Sequence, residues 1–417
     1  MMSVLNKINS TLRSNRLRLA AILSCVLVNC QAVDAQRGFV DFEKIVLDAE
    51  FTGGYGVELA DIDGDSLLDV IALASNPAAL VWFKNPSWEK YSITTATASN
   101  IDTAANDIDG DGDLDLALAS DFSLSESSEG GSMHWLENPG DAIANQEWEM
   151  HFIDRVPATH RIEWADLNND GSQVMLSLPI VGVGASAPDY SVNLSLRAYQ
   201  KPSNLNVGRW ASVAIDDSLQ LSHGIRVEDW DLDGRDDILT ASAYGVHLIQ
   251  FARRGQTIAK QYLAMGDQSR ERPAVGASEI DTGSLGNFPG AEKFLATIEP
   301  WHGNQVVVYT QGSNRNALWD RETIADEYAN GHALVVVDLD NDGFDEIVAG
   351  GRGEPYQLSI HRYDVESQSW ATIELDAGGV AVSGLAAADL DSDGYQDIVA
   401  IGANTQNVVY YRNGGSD

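Results

Sequence analysis

Three of the eight histidines, His160, His223 and His332, each stand six residues ahead of an aspartate that opens an Asp-rich loop. Tyr55, Ile101 and Ser383 hold the same register in other repeats. A fourth histidine, His302, sits in Glu299-Pro300-Trp301-His302-Gly303-Asn304. Neutral imidazole is the commonest ligand for zinc-like ions, and it also moves protons. Four such rings converging would make a metal or catalytic site, whereas a lone histidine in a strand usually packs or hydrogen-bonds. His134, His151, His247 and His361 fall on strands read as outer and belong to that second kind.

The loops that set this register carry chemistry of their own. Asp recurs at positions 1, 3 and 5, with an acid at position 9, in five segments. These are Asp61/Asp63/Asp65/Asp69, Asp107/Asp109/Asp111/Asp115, Asp229/Asp231/Asp233/Asp237, Asp338/Asp340/Asp342/Glu346 and Asp389/Asp391/Asp393/Asp397. Carboxylates at alternate residues of a tight loop suit a hard divalent cation, so structural calcium is expected. An EF-hand is excluded because position 12, Ala72 or Ala349, is not acidic and lies in a strand-like run. A sixth loop keeps Asp166, Asn168 and Asp170 but has Val174 in place of the acid, and a seventh, over 279–288, has lost its loop.

These residues need a scaffold, and the repeat supplies it. Each loop lies between strand-like runs, followed by a further strand, a turn and a Trp-led strand such as Trp148 to Ile153 or Trp319 to Ile324. The last repeat ends without that fourth strand, and Phe42 to Val46 supplies one. The expected fold is therefore an all-β, seven-bladed β-propeller over residues 36–417, closed by an N-terminal strand that completes the last blade. Closure removes the sheet edges that an open array would expose. With strand A innermost and the order A to D running outward, the Asp loops decorate one face as A–B turns. The mouths of strand A and the B–C loops face the other way. His160, His223, His302 and His332 then come from consecutive blades onto that second face. Arg161, Arg226 and Trp301 are available there, as are Arg352, Glu354 and Tyr356 from a B–C loop.

Composition narrows the partners. Sixty-two acids against 26 Lys plus Arg give a net charge of −36, which disfavours nucleic acid and anionic membranes. It also disfavours the long basic groove of a polysaccharide lyase. Both cysteines, Cys25 and Cys30, fall in a basic-then-apolar N-terminus read as an export signal over residues 1–35. That apolar run is too short to span a bilayer. The mature protein is expected to be exported, periplasmic or extracellular, and without a thiol.

The Asp loops resemble the FG-GAP or VCBS repeats of calcium-binding propellers. Gly130 to Gly140, Thr159-His160-Arg161, Trp301 to Tyr309 and Gly331-His332-Ala333 resemble the propeller domain of the aldos-2-ulose dehydratases. That resemblance implies a zinc-dependent lyase that eliminates water from a 2-keto sugar such as 1,5-anhydrofructose. By motif, His223, His302 and His332 would hold the zinc and His160 would shuttle the proton. The surroundings of His223 match least. The family's further cupin and lectin-like domains have no counterpart in this sequence, so no cupin-based isomerisation is implied. A non-catalytic propeller that binds glycan or protein through Trp301, Tyr356 and the arginines is the alternative.

Overall fold

The computed structural model describes residues 39–205, 208–253, 256–286, 288 and 290–415. The expected export segment lies outside the described residues. Phe42–Asn413 forms a compact unit of seven four-stranded antiparallel sheets, a seven-bladed β-propeller, with no helix among the described residues. None of those residues forms a helix long and apolar enough to cross a membrane.

Six blades are continuous in sequence. Blade 3, for example, runs Thr159–Ala165, Val174–Pro179, Leu196–Gln200 and Ala211–Asp216 from the axis outward. Blade 7 is composite. Its strands A to C are Val382–Ala388, Asp397–Gly402 and Asn407–Asn413, and its outer strand is the N-terminal Phe42–Asp48. That strand pairs Phe42 with Asn413 and Ile45 with Tyr410. Lys44 Nζ also reaches Asp376 of blade 6 at 2.5 Å, and Tyr411 Oη donates to the same carboxylate. The first and last strands of the described residues are thereby fastened into one ring.

Strand B is buried at every residue in blades 1, 2, 3, 4, 6 and 7, as Asp69–Ala74 and Asp397–Gly402 show. It is covered on both faces by neighbouring blades, so it reads as a continuous apolar run rather than an alternating one. The recurrent Trp does a second job. Trp148, Trp210 and Trp319 each sit just before strand D and donate a backbone N–H to strand D of the preceding blade, to Ile153 O in the case of Trp210. Their rings are buried between the two sheets, so each repeat of the motif ties one blade to the last.

The acid at position 9 opens strand B and is buried. Both oxygens of Asp69 accept backbone N–H groups, from Ile62 and Asn85, and both oxygens of Asp115 do the same from Ile108 and Asn138. The Asn85, Asn138 and Asn413 amides then donate to carbonyls of the preceding blade. This acid is as much a strand anchor as a cation ligand. In blade 3, where Val174 replaces it, Asp236 of the next blade accepts Asp166 N instead.

Blade 5 corrects the sequence reading. Ile280–Leu285 is its strand A and Glu292–Glu299 its strand B, so their connection begins only after Leu285. Residues 279–281 are not a degenerate loop but the mouth of the innermost strand. With no Asp series to anchor the count, the sequence reading sets the register too early.

Candidate functional site

One backbone device aims the site. In blades 1, 3, 6 and 7 the pairing of strand A with strand B slips by one residue at Tyr55, His160, His332 and Ser383. Ile101 N bonds to Ala119 O, whose residue also pairs with Asp102, and His223 N bonds to Ala241 O, whose residue also pairs with Gly224. In blade 5, Glu279 stands between Ser278, bonded to Ile298 O, and Ile280, paired with Thr297. All seven blades thus carry a bulge at the mouth of strand A. A bulge re-aims the extra side chain, and here it brings Tyr55, His160, His223 and His332 of different blades against one another, while Ile101 packs in the apolar core. Close approach enforces this. A Cβ on Gly224 would stand 2.6 Å from Ser278 O, so the residue after His223 must be glycine for blades 4 and 5 to meet there.

Tyr55, His160, His223, Glu279 and His332 therefore form a ring, and His302 joins it from the turn between strands B and C of blade 5. That turn is tight: Gly303 N donates to Pro300 O, a Cβ on Gly303 would meet Glu299 O at 2.2 Å, and His302 adopts φ +48°. Ring centroids lie 4.8 Å apart for His223 and His302, and 5.1 Å for His332 with each of them. His160 lies 4.3 Å from His223. One ligand atom from each of His223, His302 and His332 lies within 4.8 Å of the other two.

Outer contacts set which nitrogen is free. His332 Nδ1 donates to Ser383 O at 2.7 Å, leaving Nε2 inward, 3.4 Å from Tyr55 Oη. His223 Nδ1 lies 2.5 Å from Glu279 Oε1. The alignment falls short of a good hydrogen bond, yet two lone pairs could not approach so closely, so a proton belongs between them. Both nitrogens of His223 and Nε2 of His302 are buried without a well-aligned hydrogen bond, so the Glu279 contact at Nδ1 is one of proximity and charge, and Nε2 has no hydrogen-bond partner at all. A zinc-like ion fits this donor set, because the orphaned nitrogens need an acceptor and metal-bound histidines typically anchor their other nitrogen on a carbonyl or carboxylate. His302 Nδ1 lies 3.2 Å from Arg352 Nη2, which can only donate. That contact suits a metal-free ring; ligation through Nε2 would require Arg352 to turn away.

Burial pushes His160, His223 and His332 well below the usual imidazole range, with the Arg161 and Arg352 charges adding to it, and holds His302 down at about 3. All four are neutral at pH 7, the form that binds metal. His160 differs here from the near-neutral titration expected of a shuttle, because no carboxylate faces it. Its Nε2 lies 3.0 Å from Tyr55 Oη. Burial likewise raises the Tyr55 hydroxyl.

The proposed substrate contacts divide. Trp301 stacks on His302 at 4.4 Å, and Arg352 reaches both His302 and Tyr55. Arg161 turns instead to Glu279 at 2.9 Å and Asp102 at 3.9 Å, which makes it internal structure. Glu354 is exposed, and neither it nor Tyr356 has a polar side-chain contact with the histidines. Two residues escape the sequence reading. Tyr55 shares the register but is not a residue type that signals a metal site, and Glu279 is out of register only because its blade lacks the Asp anchor. Beneath the ring a cavity of about 430 Å³ follows the axis, lined by Tyr55, Asp102, Arg161, Glu163, Glu279 and His332 among others.

The Asp loops offer cation sites of unequal fit. Asp61/Asp63/Asp69, Asp107/Asp109/Asp115 and Asp229/Asp231/Asp233 each bring ligand oxygens within 4.8 Å. Position 5 has a second part to play at Asp111 and Asp393. Asp111 stands outside the Asp107/Asp109/Asp115 group, and both residues are exposed. Each turns Oδ1 back on its own loop, Asp111 accepting Asp113 N at 3.2 Å and Asp393 accepting Tyr395 N at 2.9 Å. A short acidic side chain caps the backbone two residues on; Asp233 caps Arg235 N in the same way and still stands in its cation group, so the cap leaves the second oxygen for a ligand role. Resident cations separate the loops further. In blade 1, Lys84 Nζ sits on Asp63 and Asp65. Arg362 does the same to Asp340 and Asp342, and Arg412 to Asp391. Blade 2 has Glu137 at that place, and no Lys or Arg forms an ion pair with its loop carboxylates among the described residues. Calcium fits the 107–115 loop, through Asp107, Asp109 and Asp115, without displacing a resident charge.

A family model for the β-propeller domain of aldos-2-ulose dehydratase matches residues 130–312, and one for the FG-GAP-like repeat matches 61–118 and 338–400. The likeness is to the aldos-2-ulose dehydratase propeller. Aldos-2-ulose dehydratase of Phanerodontia chrysosporium is 24% identical over 326 residues, covering 72% of this chain and 34% of that protein. The chain thus spans about a third of that relative's length. Among solved structures, an Agrocybe aegerita lectin, described for its recognition of non-reducing terminal N-acetylglucosamine, aligns at 13% identity and TM-score 0.47 over 81% of each chain. That score is too low to argue from.

Proposed function

We propose that this propeller is an exported, zinc-dependent hydro-lyase acting on a 2-keto sugar of the 1,5-anhydrofructose kind. The observation that carries the proposal is the grouping of three imidazoles, buried at His223 and His332 and part-buried at His302, with a fourth, His160, against them. The likeness to aldos-2-ulose dehydratase supports the same reading. Zinc bound by His223, His302 and His332 would polarise the substrate ketone.

The chain's own groups do the rest. His160, neutral and buried, accepts the proton from the carbon beside the carbonyl. The C–H electrons form the C=C bond, and the hydroxyl on the next carbon leaves as water with a proton returned by His160. Tyr55 Oη, hydrogen-bonded to His160 Nε2, orients that ring. Arg352, with no carboxylate partner among the described residues, suits an oxygen that gains negative charge. Trp301 offers an apolar wall. Calcium in the Asp loops would be structural, stiffening the opposite face.

The test is elemental analysis of purified protein for zinc beside calcium, together with dehydration of 1,5-anhydrofructose followed as enone absorbance. His160→Ala should cut turnover by about 10²- to 10⁴-fold with zinc retained. His302→Ala or His332→Ala should lose the zinc. Full activity after selective zinc removal would overturn the proposal. A protein with calcium alone and no enone product would point to glycan or protein binding.

A further inference from the structure

Glu279 is the seventh member of the bulge ring, and its surroundings are unlike those of a solvated acid. It is part-buried in the channel mouth, its side chain 13% exposed. Oε1 accepts from Arg161 Nη2 at 2.9 Å and meets His223 Nδ1 at 2.5 Å. Arg161 in turn reaches Asp102 Oδ1 at 3.9 Å, while Asp102 Oδ2 accepts Ile162 N at 2.9 Å. One polar chain therefore crosses four blades, from Asp102 in blade 2 through Arg161 in blade 3 and Glu279 in blade 5 to His223 in blade 4. A lone carboxylate beside a histidine would attract whichever tautomer suited it. Burial raises this carboxyl above its ordinary range, and the Arg161 charge and hydrogen bond oppose that and favour the accepting form, which places the proton on Nδ1 of His223 and leaves Nε2 as the ligand atom.

We propose that Glu279 is a positioning residue: anchored by Arg161, it fixes the ring orientation and tautomer of His223 and so raises the affinity of the three-histidine site for a zinc-like ion. This rests on the metal-site reading above and deepens it. It also gives Arg161 its role, which is to hold Glu279 rather than to meet the substrate.

The experiment compares zinc affinity, by competition with a chelator at fixed pH, for the wild-type full chain, Glu279→Gln and Glu279→Asp. Glu279→Gln is nearly isosteric but can turn its amide N–H toward Nδ1, favouring the wrong tautomer. It should bind zinc about 10- to 100-fold more weakly than wild type. Glu279→Asp, whose carboxylate is withdrawn by one methylene, should also be weakened, and it carries the comparison if the Gln variant fails to fold. Cobalt(II) substitution gives a second readout. Band positions and absorptivity should match in wild type and Glu279→Gln, because Glu279 acts from outside the ligand set. Zinc affinities of both variants within about twofold of wild type overturn the role of Glu279 alone. A change in cobalt coordination number makes Glu279 a direct ligand and overturns it too. A wild-type protein that binds no zinc overturns both this and the metal-site reading.

Discussion

Glu299 connects fold and site, and its replacement tests how firmly. It ends strand B of blade 5, and three residues later the chain presents His302. Its carboxyl is fully buried and takes four hydrogen bonds: Thr297 Oγ1 at 2.9 Å and Tyr309 Oη at 2.6 Å on Oε1, and Arg321 Nε at 3.0 Å and Nη2 at 2.8 Å on Oε2. Glu299→Gln keeps the shape but discharges the Arg321 pair. A bond to a charged group contributes about 1 kcal/mol more than a neutral one, so two such bonds give a loss of about 2 kcal/mol. The figure lies below the ~3–5 kcal/mol typical of breaking a buried pair for two reasons. Arg321 is a third exposed and can take water, and burial pushes the Glu299 carboxyl above its ordinary range despite that arginine. Glu299→Ala, which also strands two hydroxyl donors, should cost more, about 3–4 kcal/mol. Urea denaturation of the zinc-free protein measures both. The Ala variant should in addition bind zinc more weakly than a variant equally destabilised in a distant blade. If Glu299→Gln unfolds within about 0.5 kcal/mol of wild type, the buried network does not hold the turn and the reasoning fails.

Other consequences can be checked separately. His361 is buried between Tyr328 Oη at 2.9 Å and Thr372 Oγ1 at 3.0 Å, and burial lowers it from 6.5 to about 4. The unfolded chain takes up that proton near pH 6.5 while the native one resists until about pH 4. Stability therefore falls with pH across this window, by up to about 3 kcal/mol, and His361→Gln should flatten that share of the urea midpoint's pH dependence. Calorimetric titration of calcium should find the 107–115 loop stronger than the loops holding Lys84, Arg362 or Arg412; Lys84→Met should strengthen blade 1, and equal affinities before and after would show that Lys84 does not compete. Because Asp111 stands apart from the other three acids of its loop, Asp111→Asn should weaken calcium there less than Asp109→Asn, and the reverse order in the same titration would make position 5 a ligand after all.

The repeat makes the architecture legible because its signals are local. Asp spacing marks the A–B turn in every blade but the fifth, the apolar run after it marks a strand buried on both faces, and the missing fourth strand at one end matches the surplus strand Phe42–Asp48 at the other. The same spacing also locates the catalytic candidates, although nothing in it reveals the cause. Counting back from the first Asp lands on the bulged residue in six blades, since strand A has nearly constant length. What cannot be read is any partner chosen across blades. Arg161 looks free in sequence because its acceptors, Asp102 and Glu279, lie 59 residues before it and 118 after. Glu354 and Tyr356 look like site residues because their loop reaches the right face, but sequence does not say which way such a loop turns. Position 5 of the Asp loops poses a related question, since spacing alone does not separate a carboxylate that only caps its own turn from one that also faces a shared centre.

Glu279 shows where that limit lies. Its position is as regular as that of His160, but regularity is measured from an acid series that blade 5 does not possess. Two constraints survive the loss of the loop. Strand A must still end where Leu285 pairs with Glu292, and Ser284 must still find an acceptor, which Asp345 of blade 6 provides at 2.6 Å. The neighbouring blade thus preserves the register that the local sequence no longer marks, and the bulge falls where the ring requires it. Across such a ring the backbone fixes seven positions at the mouth, and chemistry depends on which side chains occupy them. Four consecutive blades contribute imidazole or its carboxylate anchor, and Tyr55 links two of the rings from the other side. Replacing any one of these should change the site without disturbing the propeller, whereas replacing a Trp at the blade seams should do the reverse.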